Sequence, residues 1–506
     1  MRLFIFGIGG TGSRVLKSLT MLLAAGVRPL DADGKPLQNF EIVPIIIDPH
    51  KSNEDLKRTE QMLTEYRLVR EKLHGRNVNG DGFFATKIST LREIMGMAST
   101  PIGDSFVLDM EMVGQCQFRQ FIDYDTMNEP NQALTSLLFA DYQLDNKMNI
   151  GFVGSPNIGS VALNSIKDSE EFKAFANVFS EGDRIFFISS IFGGTGAAGF
   201  PILVKNIRQA QNLEVSNKSF LRQAPIGGLT VLPYFNLNNS QGKSIDKADF
   251  VVKTQSALQY YNETLTGEGD RNVNVIYYVG DQTASIPYDY DPGDVRDQHD
   301  PAHLVELVSA MAPLKFAALD NNQLYDATGG FMPTKAFEYG LEKDLLDVDF
   351  TTFGLETRQL LYKPMVKFHM LFIYLRTAFA DVIGQGYTQD EPKIKSDFTG
   401  TQFYRTLTHQ FMDRYTEWLT EMYGNLRHVQ LFNVGENNMG NLIHNVVTRK
   451  GFFGHKTVDA NTFNSELNKL SRDNKKYIDR TVEYKLLDLF DQAADNILDE
   501  KFENIN

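Results

Sequence analysis

The stretch FFISSIFGGTGAAGFP, Phe186 to Pro201, sets an apolar, β-branched run against a run of Gly, Thr and Ala. The first half reads as a buried strand; the second removes bulk where a strand gives way to a helix. Two physical readings fit. Bare backbone N–H groups at a helix start can receive phosphate oxygens. Small residues also let a turn pack tightly.

The same design recurs. Arg2 to Phe6 is strand-like, GIGGTG (Gly7 to Gly12) follows, and SRVLKSLTMLLAAG continues as a helix with Gly26 as its stop. GFVGSPNIGS (Gly151 to Ser160) also places a Gly/Ser/Pro/Asn loop after a strand-like run from Asn149. EIVPIII (Glu41 to Ile47) is a second buried strand, closed by Asp48-Pro49. Strands are expected at Ile226–Leu232 and Asn274–Val279, and helices at Ser160–Phe179, Phe200–Ala210, Ala248–Leu265 and Pro301–Leu319, the last with Asp300 at its N-cap.

This alternation predicts an α/β fold: a doubly wound, mostly parallel sheet. Three small-residue loops would then share the carboxyl edge of one sheet, where open α/β sheets bind ligands. Residues 52–148 read as an insertion or subdomain, helical in period over Ser52–Leu73. Residues 281–300 read as a loop, 320–350 as irregular, and the chain from Thr357 as mostly helical. The expected division is an α/β domain over 1–320, with 52–148 inserted, and a loop followed by a mostly helical region over 321–506.

Composition sets bounds. The chain has 506 residues, 42% hydrophobic and 23% charged, with a net charge of −14. That balance suits a globular protein and does not favour nucleic acid as a partner. The lone Cys116 excludes an internal disulfide and a cysteine zinc site, and fits a reducing cytoplasm. The N-terminal apolar run is too short for a signal peptide and MLFIYL (Met370 to Leu375) too short for a membrane span. No metal-ligand spacing and no Ser/His/Asp signature is present among the nine histidines and their neighbours. Gly242-Lys243-Ser244 is not a P-loop, because Leu237 stands where that motif needs glycine. A nicotinamide- or flavin-binding oxidoreductase would want an acid about 20 residues past the glycine loop; Asp48 lies 36 residues past Gly12.

On these motifs the sequence resembles the tubulin/FtsZ superfamily of GTPases. GIGGTG is similar to that family's first phosphate loop, GSPNIGS (Gly154 to Ser160) to its glycine-asparagine loop, and FGGTGAAGFP (Phe192 to Pro201) to its signature loop. LTVLPYF (Leu229 to Phe235) and VIYYVGD (Val275 to Asp281) resemble its next two strands, and Pro301–Leu319 takes the place of its central helix. The order is kept over roughly 1–50 and 149–320. Arg14 departs from the family's asparagine, and the helical C-terminal third has no counterpart in the family's mixed C-terminal domain.

The resemblance implies GTP or GDP with Mg²⁺, and head-to-tail self-association into filaments. It implies phosphate contacts from Gly9, Gly10, Thr11, Gly12, Gly193, Gly194, Thr195 and Gly196, closure over the γ-phosphate by Asn157 and Gly159, and Asp48 beside the metal or phosphates. Asp300 would read the base, or would serve only as an N-cap. Acids after the central helix would orient the attacking water in the neighbouring subunit. Asp347 and Asp349, in DVDF, match that pattern with Asp for Asn; the spacing points instead to Asp320-Asn321-Asn322. The alternative is a nucleotide-binding switch or scaffold that does not polymerise and works in a multiprotein system such as host defence. The amphipathic final helix would pack on its own domain or bind a protein partner.

Overall fold

The computed structural model describes residues 1–506 except 52, 76–79, 97–101, 150, 153–154, 235–246, 268–270, 282–299, 434, 452–453, 473 and 504–506. The Gly242-Lys243-Ser244 triplet, Gly154, Phe235 and most of the 281–300 loop lie outside the described residues.

Seven strands form one sheet: β1 Arg2–Ile8, β2 Glu41–Ile47, β3 Lys87–Ile88, β4 Arg184–Ser190, β5 Ile226–Val231, β6 Val275–Val279 and β7 Lys335–Tyr339. The order is β3-β2-β1-β4-β5-β6-β7, and every pairing is parallel. The principal helices are α1 Gly9–Ala24, α2 Glu54–His74, α3 Glu129–Leu138, α4 Asp141–Leu144, α5 Pro156–Asn164, α6 Glu170–Val178, α7 Gly194–Arg208, α8 Lys218–Arg222 and α9 Lys247–Thr264. They continue with α10 Leu304–Ser309, α11 Ala312–Ala317, α12 Leu355–Thr377, α13 Met412–Tyr423 and α14 Val482–Lys501.

The continuous apolar runs serve two cores at once. Alternate residues of a strand face opposite sides. In β1, Leu3 and Ile5 join one core with α1, α2, α10 and α11, while Phe4, Phe6 and Ile8 join the other with α5, α6 and α7. β4 repeats this with Phe186 and Ile188 against Ile185 and Phe187. This is the expected doubly wound α/β architecture.

Four local expectations are revised. First, residues 335–339, within a stretch expected to be irregular, form the edge strand β7. Ala336, Phe337 and Glu338 are all exposed, so its sequence carries no burial pattern. Second, no strand forms at Asn149–Phe152 among the described residues, only an isolated bridge from Asn149 to Gly151. Third, within 52–148, α2 packs on α1 and β3 pairs with β2, so the sheet itself runs into this segment. Fourth, the helix over Pro301–Leu319 is split. Pro313 has no N–H to continue the ladder, and α10 begins only at Leu304. Its N-cap is therefore His303, whose Nδ1 accepts from the Val305 N–H at 3.1 Å.

The C-terminal third is mostly helical and shares the α1/α2 core. Trp418 on α13 is buried and donates from Nε1 to Ser18 Oγ at 3.1 Å. Arg414 pairs with Glu65 of α2 at 3.1 Å. Lys367 of α12 bridges Asp491 and Asp495 of α14 at 2.9 and 3.0 Å. Among the described residues no helix is long and apolar enough to cross a membrane.

Candidate functional site

The sheet order changes direction between β1 and β4, the point at which connections leave to opposite faces. α1 and α7 both begin there. A Cβ built on Gly9 would stand 3.6 Å from Thr195 Cβ and 3.8 Å from the Gly196 nitrogen. Gly9 has φ +71°, a conformation glycine reaches without strain. Neither helix has a side-chain cap or an acid in its first turn. Each therefore presents unsatisfied N–H groups and the positive end of its dipole to the same small space. The third loop arrives beside them: a Cβ on Gly151 would meet Thr195 Oγ1 at 3.3 Å.

The two readings of the glycines divide between residues. Gly12, Gly196 and Gly159 are packing positions. Added Cβ atoms there would come within 2.5 Å of the Gly7 carbonyl carbon, 2.8 Å of Ser190 O and 2.9 Å of Gly194 O. Gly10 is freer, its nearest neighbour being Asn53 Nδ2 at 3.7 Å. Gly193 would meet Ser190 Oγ at 3.1 Å. Thr11 and Thr195 are buried beside the loops. Asn157 is exposed in the first turn of α5 and accepts from Gln143 Nε2 at 3.2 Å.

Acids gather behind the first loop. Asp48 follows β2 and is buried, with Oδ1 accepting from the His50 N–H at 2.9 Å. Burial pushes its carboxyl up to about 7; the His50 N–H opposes this and nearby Asp55 adds to it. Asp55, in the first turn of α2, is buried, and its Oδ1 has no hydrogen bond. Mg²⁺ usually takes one or two carboxylates together with substrate phosphates. Asp48 fits that chemistry, whereas Asp55 is taken up by cations, its Oδ1 lying 3.8 Å from Arg58 Nη1 and its Oδ2 on Arg14; no group of three or more His, Cys, Asp or Glu is arranged to hold a metal among the described residues.

Arg14 is the residue whose role the sequence did not reveal. It is buried and binds Asp55 Oδ2 at 3.3 Å, Asp300 Oδ2 at 2.8 Å and Glu306 Oε1 at 2.8 Å; its Nη2 donates to Tyr234 OH at 2.8 Å. Burial works against its charge, but Tyr234, Glu306, Asp300 and Asp55 outweigh that and hold it protonated. These partners lie 41 to 292 residues away in sequence, so no local pattern joins them. Asp300 is thus neither N-cap nor free acid: one oxygen is taken by Arg14, and its side chain is 31% exposed.

The acids after α11 separate by position. Arg184, the first residue of β4, donates to Leu319 O at 2.6 Å and Asn321 Oδ1 at 3.2 Å. Asp320 therefore lies at the amino rim of the sheet, opposite the glycine loops, and is exposed. Arg427 pairs with Asp281 just past β6 at 2.8 Å and donates to Glu342 O and Leu345 O. That brings Asp347 to the carboxyl rim, the same end as the loops. Asp349 is buried in its own turn. Its Oδ1 accepts from the Thr351 N–H at 2.7 Å and Thr351 Oγ1 at 2.6 Å, and its Oδ2 from Asn445 Nδ2 at 2.6 Å. Burial opposes its charge, yet those hydrogen bonds leave the carboxyl below its ordinary range. The expectation that Asp347 and Asp349 reach across a head-to-tail junction does not suit this placement.

A scan against protein-family models gives no match. A search of curated proteins also gives none. Among solved structures the chain is similar to CetZ from Methanosaeta thermophila strain DSM 6194. The identity is 12%, the match covers 55% of this chain and 46% of that one, and the TM-score is 0.25. The chain thus spans about half the length of that structure.

Proposed function

We propose that this chain is a tubulin/FtsZ-like guanine-nucleotide-binding protein that holds GTP or GDP with Mg²⁺ and assembles head to tail. The observation that carries the reading is the apposition of two uncapped helix N-termini, α1 and α7, at the sheet's switch point, with the third loop beside them. Backbone N–H groups at 10–12 and 194–196 face phosphate oxygens, and the Thr11 and Thr195 hydroxyls add donors. Asp48 would hold Mg²⁺, which would neutralise phosphate charge. Phosphoryl transfer asks little covalent chemistry of the protein, so a carboxylate that positions water suffices. Asp320 takes that role from the neighbouring copy, because it lies at the rim opposite the loops.

Nucleotide released from the purified chain by denaturation and separated by chromatography tests binding. Sedimentation and phosphate release with and without GTP test assembly and hydrolysis. A non-polymerising switch is the second reading. It is favoured by Trp418–Ser18 and Arg414–Glu65, which tie the helical C-terminal third to the layer that carries the first loop. GTP bound without polymer would select it.

A further inference from the structure

We propose that the leucine face of α3 docks a second copy of this chain, which seats the end of its sheet carrying α8 there. This rests on the head-to-tail reading above. α3 is inverted relative to an ordinary surface helix, which buries its apolar stripe. Its two half-buried residues are polar: Gln132 Nε2 donates to Tyr124 O at 3.2 Å, and Thr135 Oγ1 to Met127 Sδ at 3.6 Å. Leu134, Leu137 and Leu138 face away, Leu137 being 84% exposed, and no residue of α3 is buried. Tyr142 on α4, the next helix in the chain, is also exposed, at 75%. A contiguous exposed apolar patch of this kind marks a partner surface.

Position selects the occupant. The segment carrying α3 and α4 stands beyond the carboxyl rim of the sheet. A Cβ on Gly114 would meet Pro49 O at 3.7 Å, and Gln143 reaches Asn157 beside the loops. α8 occupies the opposite rim on the same face of the sheet. Arg208 at the end of α7 donates to Arg222 O at 2.7 Å and Ala224 O at 2.9 Å, just before β5, and Leu221 is buried in the same core as α5, α6 and α7. α8 exposes Phe220 between Lys218 and Arg222. The leucine patch is flanked by exposed Glu129 and Asp141. Translation of one copy along the strand direction sets aromatic against leucine and base against acid.

The test uses the full chain with Mg²⁺ and GTP. In a Cys116→Ser background, chains carrying Leu137→Cys and chains carrying Phe220→Cys are mixed and treated with a bismaleimide. A cross-linked pair is expected from the mixture, at roughly tenfold or more over either chain alone. Leu134→Asp with Leu137→Asp is expected to cut sedimentable polymer about tenfold or more while GTP binding stays unchanged, as truncated interface anchors do. Cross-linking within the Leu137→Cys chain alone, unchanged polymer in the double variant, or a wild type that binds GTP yet stays monomeric would overturn the proposal. A wild type that binds no nucleotide overturns the reading of the site instead; the cross-link at high protein concentration still decides the surface.

Discussion

Arg14 and Asp300 meet at 2.8 Å, joining the second turn of α1 to the approach of α10. The same guanidinium holds Asp55 and Glu306, so it is the cation common to three acids, with Arg58 also beside Asp55 and Lys17 near Asp55 and Glu306. Removing one member of such a cluster leaves uncompensated charge, at a cost of roughly 3–5 kcal/mol. Arg14→Met is therefore expected to lower the urea midpoint at pH 7 strongly. Arg14→Lys recovers little, because an ammonium cannot reproduce the planar fork. A midpoint unchanged in Arg14→Met would contradict this assignment.

The glycines of the first loop separate structure from binding. Gly12→Ala places a methyl 2.5 Å from backbone and is expected to destabilise the fold by about 3 kcal/mol or more. Gly10→Ala has room, so its thermal midpoint stays near wild type while GTP affinity falls. Equal losses of stability in the two variants, read by calorimetry, would show that the loop serves packing alone.

Asp349→Asn and Asp320→Ala are expected to diverge in the same way. The first removes a carboxylate that accepts hydrogen bonds from Thr351 and Asn445, and costs about 1–3 kcal/mol of stability. The second leaves stability unchanged and abolishes assembly-dependent phosphate release. Restoration of release by mixing Asp320→Ala with a chain defective in nucleotide binding would place the acid in the neighbouring subunit.

Two buried histidines predict acid sensitivity. Burial holds His303 down to about 4 and His369 to about 3, Asp281 partly offsetting this for His303. The His303 Nδ1 cap requires the neutral ring. Both groups sit below the unfolded value near 6.5. Their stabilisation is complete above pH 6.5 and is lost as pH falls toward 4, on the order of 3 kcal/mol each. His369 stacks on Phe432 at 4.0 Å, and its Nδ1 has no hydrogen bond. His369→Phe keeps the stack and is expected to flatten the fall in urea midpoint between pH 6.5 and 4. An equally steep fall in that variant would count against the assignment.

The sheet was legible because buried parallel strands are apolar throughout and their helices follow at short range. Phe186–Ser190 and Gly194–Arg208 show this directly. β7 was not legible, because an exposed edge strand such as KAFEY has neither run nor alternation. In the site, the loops could be read from Gly and Thr spacing, since the need for bare backbone is written locally. The Arg14 cluster could not, because Asp55, Asp300 and Glu306 reach it only through tertiary packing. DVDF was readable only as a pattern of letters; that the chain turns Asp349 inward with Thr351 and leaves Asp320 exposed at the amino rim of the sheet depends on tertiary packing.

The account depends on the paired N-termini of α1 and α7 gripping a nucleoside triphosphate. Calorimetric titration of the nucleotide-stripped chain with GTP and Mg²⁺ tests this most directly. One binding event per chain is predicted, weakened by Gly10→Ala and untouched by Leu134→Asp with Leu137→Asp. No heat with either GTP or ATP, from a chain that is folded and carries no purified nucleotide, would contradict it.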